Sequence, residues 1–335
     1  MPRFSLEQMK LAKQAMVKAY LPEGAGTPEG RAMSVSLEPR MNVVGVGLGP
    51  KNPQDKEPGP MSIRFYVARK VPPGALPEGT RLPDSIDGIP TDVIETGVFR
   101  LHAGEANRRR RRPIRPGSSI GFQFPPPNQN MVMAGTFGVV VKRDGKKFIL
   151  SNNHVLAENG AIQPGAPIFQ PGLLDGGSTV KDAVGKLTTF IPVTREENSV
   201  DCAIAEVDNG VPVDPALLPQ VGRLKSAVPI AARNGMQVEK TGRTTGYRRG
   251  RIIDISLDVR VGFEDQQGEF DALFVDQILI VGTAGMFSDS GDSGSLIVDR
   301  ATKRATGLLF AGAREHTVAN PIQLVMQKLG VQLVV

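Results

Sequence analysis

Three residue types in the right order would let this chain break an acyl bond: a hydroxyl nucleophile, a histidine to take its proton, and a carboxylate to orient the histidine. Ser293 lies in Gly291-Asp292-Ser293-Gly294-Ser295. Glycines on both sides permit a tight turn that exposes the hydroxyl and lets the backbone approach a substrate. In such a turn the N–H groups of Gly291 and Ser293 can converge on an oxyanion. His154 follows the apolar run Phe148-Ile149-Leu150 and precedes Val155-Leu156. The chain has 3 histidines. Of the other two, His102 adjoins an arginine-rich stretch and His316 sits in the polar run Arg314-Glu315-His316-Thr317. Asp201 stands near the start of Val200-Asp201-Cys202-Ala203-Ile204-Ala205-Glu206-Val207. An acid at the start of an apolar strand is partly buried and needs a partner, which His154 would supply.

Plainer readings stand beside these. A lone histidine is more often structural, a Gly-Asp-Ser-Gly tetrapeptide is often a mere loop, and a strand-edge acid is often a turn residue. Asp289-Ser290-Gly291 repeats the Asp-Ser-Gly unit, so Ser290 is a decoy. The apolar strand Leu296-Ile297-Val298 close behind favours Ser293. Asp175-Gly176-Gly177-Ser178 offers too few ligands for calcium and reads as a turn. Gly47-Leu48-Gly49-Pro50-Lys51 fails the spacing of a phosphate loop and also reads as a turn. No His/Cys cluster suggests zinc. No metal or cofactor is expected.

The elements that must hold these residues are mostly strands. Gly and Pro together supply 65 of 335 residues, and 17 are aromatic, with no Trp. Short strands joined by tight turns fit that composition better than a helix bundle. Strands are expected at 138–141 and 146–150, joined by an Asp144-Gly145 turn. Others are expected at 200–207, 251–257, 274–281, 295–298 and 305–310. A helix over 321–329 places Ile322, Val325, Met326 and Leu329 on one side. Ahead of these, Ser5 and Gln8 form a capping box for a helix over 5–20 with a stripe of Leu6, Met9, Ala12 or Lys13, Met16 and Ala19. Strands at 41–48, 62–69 and 91–99 then complete a small α/β unit. The chain divides into that N-terminal domain at 1–101, an Arg/Pro-rich linker at 102–117, and a main domain at 118–335.

The formal net charge is +6, of which the run Arg108 to Arg112 alone supplies five. The basicity is therefore one local feature. Such a stretch reads as exposed linker, processing site or acidic-partner contact, and the absence of interleaved aromatics speaks against nucleic acid. The single cysteine, Cys202, rules out an intrachain disulfide. No apolar run approaches a membrane span. Residues 1–21, with Lys10, Lys13 and Lys18 spread through them, do not read as a secretory signal. A cytoplasmic protein without a membrane partner is the expectation, with signal-free export left open.

The order His154, Asp201, Ser293, at intervals of 47 and 92 residues, resembles the chymotrypsin-like or trypsin-like serine peptidases. Asn152-Asn153-His154-Val155 resembles the bacterial, HtrA-type branch. Val238 to Gly246 resembles the strand and turn that open the second barrel, and Gly307 to Gly312 the strand lining the specificity pocket. Residues 1–101, with Val44-Gly45-Val46-Gly47 and Asp87 to Val93, resemble the leading domain of bacterial trypsin-like proteins related to the plant narrow-leaf regulator. The resemblance implies a mainly β fold of two six-stranded antiparallel barrels, over about 118–225 and 230–320, with the last helix against the second. It implies a serine endopeptidase acting on protein or peptide, an oxyanion hole at Gly291 and Ser293, and a substrate pocket at Phe287, Phe310 and Gly312. Phe310 replaces the serine that normally helps hold the triad aspartate, so Asp201 must find another donor. Ser295 stands where many relatives have glycine. Phe287 occupies the position that carries an acid in trypsin, so a small or apolar P1 residue is expected. The alternative is a peptide-binding scaffold with little turnover. Residues 1–101 are candidates for a covering domain, released by a cut in the Arg run, or for a homo-oligomer contact.

Overall fold

The computed structural model describes residues 4–21, 42–52, 59–68, 70, 81–96, 107–128, 131–265, 268–313 and 315–335. The helix-ending residues 22–28, the proline-rich stretch 71–80, residues 97–99 of the third strand, Arg314 and His102 lie outside them.

Helix α1 (Leu6–Tyr20) begins as its sequence dictates. Gln8 N–H donates to Ser5 Oγ at 3.2 Å and Ser5 N–H to Gln8 Oε1 at 2.9 Å. Its buried face is Met9, Ala12, Lys13 and Val17. Leu6 is 62% exposed, so the docked face is rotated from the expected stripe. Lys13 sets that phase, because its ammonium reaches a carboxylate on another element.

After α1 come β1 (Val43–Pro50), β2 (Met61–Val67), β3 (Ser85–Ile86) and β4 (Ile89–Glu95). β1 is antiparallel to β2, and β4 is parallel to β2. Ile63, Phe65 and Val67 face α1 in one apolar cluster. The expected turn at Gly47 to Lys51 is instead the end of β1. A side chain at Gly49 would meet the Arg64 guanidinium at 2.2 Å, so glycine serves close packing there, not a turn.

The chain then lays down β5 (Ser119–Ile120), β6 (Gly135–Thr136), β7 (Val139–Arg143) and β8 (Lys146–Ser151). Asp144 and Gly145 both take positive φ, 51° and 77°, as the expected turn requires. A short helix α2 (Asn153–Leu156) follows β8. Next are β9 (Pro167–Phe169), β10 (Ala183–Phe190), β11 (Glu197–Asn198) and β12 (Ala203–Val207). β7, β8, β12, β10 and β9 pair in that order. Gly121 beyond β5 closes the ring on Phe169, with reciprocal hydrogen bonds of 3.2 and 2.8 Å. A small hairpin, β13 (Leu217–Leu218) and β14 (Gly222–Arg223), leads on.

The second ring uses β15 (Gln237–Gly242), β16 (Gly246–Asp265), β17 (Gly268–Gly282), β18 (Leu296–Asp299), β19 (Ala305–Ala313) and β20 (His316–Pro321). Pairings run from β15 through β16, β17, β20, β19 and β18 back to β15. The fold is therefore mainly β, with two barrel-like rings of antiparallel strands. Helix α3 (Ile322–Leu329) packs between both rings rather than on the second alone. The reason is β21 (Gln332–Leu333) beyond it, which returns to β7 of the first ring. Among the described residues no helix is long and apolar enough to cross a membrane.

Two findings bear on the N-terminal boundary. β1 adds to β16 through Gly45↔Val259 and Val46↔Asp258, so one sheet runs on from the second ring into β1, β2 and β4. The Arg run is fastened to the first ring: Arg110 Nε reaches Asp182 Oδ1 at 2.6 Å, and the Arg111 N–H donates to Gln170 Oε1 at 2.8 Å. Composition suggested a free stretch, but Asp182 gives the guanidinium groups a partner.

Phe65 is fully buried, with Tyr20 edge-on at 5.2 Å. Phe65→Ala is expected to remove about 3–5 kcal/mol of stability from this layer. Amide exchange should then quicken first in α1, β1 and β2. Equal loss of protection across both rings would contradict a separately loosened layer.

Candidate active site

β8 delivers Ser151 and Asn152 to the start of α2, whose second residue is His154. β12 pairs with β8 through Ala203↔Ser151, which brings Asp201, just before β12, beside α2. Asp201 is fully buried and needs compensation. His154 Nδ1 sits against Asp201 Oδ2. The other oxygen, Oδ1, accepts the Asn153 N–H at 2.7 Å and the His154 N–H at 3.3 Å. These amides are the donors that Asp201 was expected to need. Asn152 Nδ2 donates to the Asp201 carbonyl at 2.8 Å, and the Asp201 N–H to Asn320 Oδ1 at 3.0 Å. Asn320 is in turn held by Gln277 at 2.7 Å.

Burial alone would push the His154 pKa down, but the charge and hydrogen bond of Asp201, with Glu158 nearby, outweigh it and raise the pKa above 6.5. Burial raises the carboxyl of Glu158, and the charges of Asp201 and Glu264 add to this against His154. With Nδ1–H donated to Asp201, a neutral His154 presents Nε2 as a base.

Ser293 sits in a turn docked on the first ring. The Thr136 N–H donates to the Ser293 carbonyl at 2.8 Å. Gly294 has φ +91°, and a side chain there would strike Ser151 Oγ at 2.1 Å. Gly135 brings this turn close to α2: a side chain on it would meet Val155 at 2.6 Å and the Ser293 carbonyl at 3.1 Å. Asp292 anchors the turn from below. Its buried carboxylate takes Lys240 Nζ at 2.7 Å, the Thr244 N–H at 2.9 Å and Thr245 Oγ1 at 2.6 Å. Burial lowers the Lys240 pKa against the pull of Asp292.

The direction of the Gly291 and Ser293 N–H groups follows from the neighbouring carbonyls. Thr244 Oγ1 donates to the Ser290 carbonyl at 2.5 Å, and Ser295 Oγ to the Asp292 carbonyl at 2.6 Å. A trans peptide holds its N–H opposite its carbonyl. The Gly291 and Ser293 N–H groups are thus turned away from these anchors, and neither donates to a described residue. Ser295 therefore braces the turn.

The structure does not join all the expected residues. Ser293 Oγ donates to the Phe310 carbonyl at 3.3 Å, and no hydrogen bond links it to His154 among the described residues. Phe287 packs with Met236, Val238 and Ile280 in the core of the second ring. Phe310 belongs to another cluster, with Phe274 at 4.7 Å between ring centroids. Gly312 pairs with Thr317 in the β19–β20 ladder. Asp175 spends its carboxylate on Arg243, at 2.6 and 2.7 Å, and on Ser119. Among the described residues no three metal-ligating side chains gather.

Lys240, Arg243, Asn320 and Gln277 were not singled out from the sequence. The available signal was polar residues inside an apolar strand, as Asp276-Gln277 are between Val275 and Ile278.

No protein-family model matches the chain, and no curated protein does. Solved structures do. Thermobifida fusca protease A aligns at 17% identity and TM-score 0.46, over 66% of this chain and 98% of its own. A glutamic acid specific serine protease aligns at 17% identity and TM-score 0.44, over 66% and 100%. Cellulomonas bogoriensis chymotrypsin aligns at 18% identity and TM-score 0.39, over 59% and 90%.

The His154 imidazole should titrate, by NMR, with a midpoint above 6.5. Asp201→Asn removes the raising charge and leaves burial dominant, so the midpoint should fall below that value. A midpoint unmoved by the substitution would sink this account of the pair.

Proposed function

We propose that this chain is a serine endopeptidase that hydrolyses peptide bonds through an acyl-enzyme. The observation that carries the reading is the buried His154–Asp201 pair, with its spare carboxylate oxygen on two backbone amides, close to a serine turn fastened by Asp292. In this mechanism Ser293 Oγ attacks the scissile carbonyl while His154 Nε2 takes its proton. Asp201 keeps the imidazole in one tautomer and stabilises the imidazolium. The Gly291 and Ser293 N–H groups receive the oxyanion. Collapse expels the amine, which leaves with the proton from His154. A water then repeats the sequence on the ester and frees Ser293.

The substrate is protein or peptide. Phe287 lies in the core of the second ring and sets no P1 preference. Covalent catalysis of this kind needs no cofactor.

A second reading has its own support. Ser293 Oγ rests on the Phe310 carbonyl rather than on His154, which is what a peptide-binding scaffold with little turnover would tolerate. It predicts peptide binding that survives Ser293→Ala.

A fluorophosphonate probe separates the two. Label on the wild type and on Ser290→Ala, but lost from Ser293→Ala, is the expected result. Peptide hydrolysis should fall by at least about a thousandfold in Ser293→Ala. Label retained in Ser293→Ala, or turnover undiminished, would refute the assignment of the nucleophile.

A further inference from the structure

We propose that the outer half of the β16–β17 hairpin is a lid over this site, held shut by the N-terminal layer, and that substrate enters only when α1 and β1 release it. The inference rests on the peptidase reading and adds its control.

A peptide cleaved here must touch both Ser293 and His154. His154 is 2% exposed and Ser293 5%. Both residues are thus largely covered, and whatever covers them controls access. On one side the cover is the β16–β17 hairpin. Phe263 of β16 lies edge-on to the His154 ring, 6.3 Å between centroids. Phe274 of β17 lies on Phe310, whose carbonyl receives the Ser293 hydroxyl. Phe270, paired with Phe263 across the hairpin, completes an aromatic wall.

The hairpin is longer than the ring needs. β16 runs for 20 residues and β17 for 15, against 4 in β18. Past the register shifts between Ile252 and Val259 it leaves the ring. Its outer part then extends roughly 25 Å at about 3.3 Å per residue.

The fastening is at the base of that outer part. β1 pairs with it at Val259 and Asp258. Lys13 of α1, itself buried, donates to Asp258 at 2.8 Å, to Ser256 Oγ and its carbonyl at 3.0 Å, and to Asp276 at 3.2 Å. Arg260 reaches back to the Leu21 carbonyl at 2.7 Å. On the other flank, β11 runs parallel to β17 at Leu273 and Phe274, and Arg195 lies 4.5 Å over the Phe270 ring. The N-terminal layer thus grips the hairpin, and the hairpin covers the histidine.

The parked hydroxyl fits a shut state. Phe310 falls at the irregularity of the β19–β20 ladder. An extended peptide that added to β19 there would take the Phe310 carbonyl for its own amide. With the lid closed, Ser293 occupies that acceptor.

A cross-link tests this. Gly45→Cys with Val259→Cys places two thiols at paired positions of β1 and β16, and the native thiol, Cys202, is buried. His154 modification by diethylpyrocarbonate, followed by mass mapping, reads access without needing catalysis. Peptide hydrolysis and fluorophosphonate labelling read activity. The oxidised form is expected to lose at least tenfold in both access and hydrolysis relative to the same protein reduced. Lys13→Met is expected to raise both above wild type. Equal His154 modification in the oxidised and reduced forms overturns the lid. If access differs but neither the reduced form nor Lys13→Met takes label, the lid stands and the peptidase reading fails.

Discussion

The Asp201 carboxylate is the constraint from which the rest of the site follows. A charge with no water around it costs several kcal/mol unless nearly every lone pair is engaged. Here one oxygen faces the imidazole and the other takes two backbone amides from the start of α2. Those amides can converge only if β8 ends where it does and α2 turns at once. The end of β8, the placing of His154 and the pairing of β12 with β8 are therefore one solution to one electrostatic problem. Asn152, Asn320 and Gln277 extend that solution to the backbone of Asp201 and hold it against both rings.

The second ring solves the same problem with cations. Asp292 and Asp175 are buried carboxylates, met by Lys240 and by a two-pronged Arg243 respectively. Both cations come from one strand and its turn, β15 and the residues after it. A guanidinium matches a carboxylate with two parallel bonds, whereas an ammonium spreads its donors, which is why Lys240 also reaches Thr245 and Gly246. The serine turn is thereby fixed by buried charges.

What was legible in the sequence was local. The Ser5–Gln8 cap, the Asp144-Gly145 hairpin and the strand before His154 each depend on residues a few positions apart, and each formed where expected. With 3 histidines in the chain, His154 was readily picked out, and the structure sets it against the buried Asp201. What failed depended on distant partners. The Arg run looked free because Asp182 lies some 70 residues further on. The glycines of β1 suggested a turn because the Arg64 side chain that crowds them belongs to the neighbouring strand. α1 docks on Lys13 and Val17 because Asp258, far along the chain, pulls the helix round. Phe287 and Phe310 looked like walls of one pocket because ring packing is set by which strand each faces.

Burial of the imidazole also limits what the N-terminal layer can be. It does not rest on a finished molecule, since β1 completes a hydrogen-bonding edge that β16 would otherwise present to solvent. An exposed edge carrying Val259 and Val261 would pair with something. Supplying β1 in the same chain satisfies that edge at high effective concentration. The same pairing keeps Phe263 over His154, so the protection of the edge and the dryness of the imidazole are mechanically joined. A change that strips β1 from β16 must expose both together, and the stability of the N-terminal layer thereby sets how often the imidazole meets water.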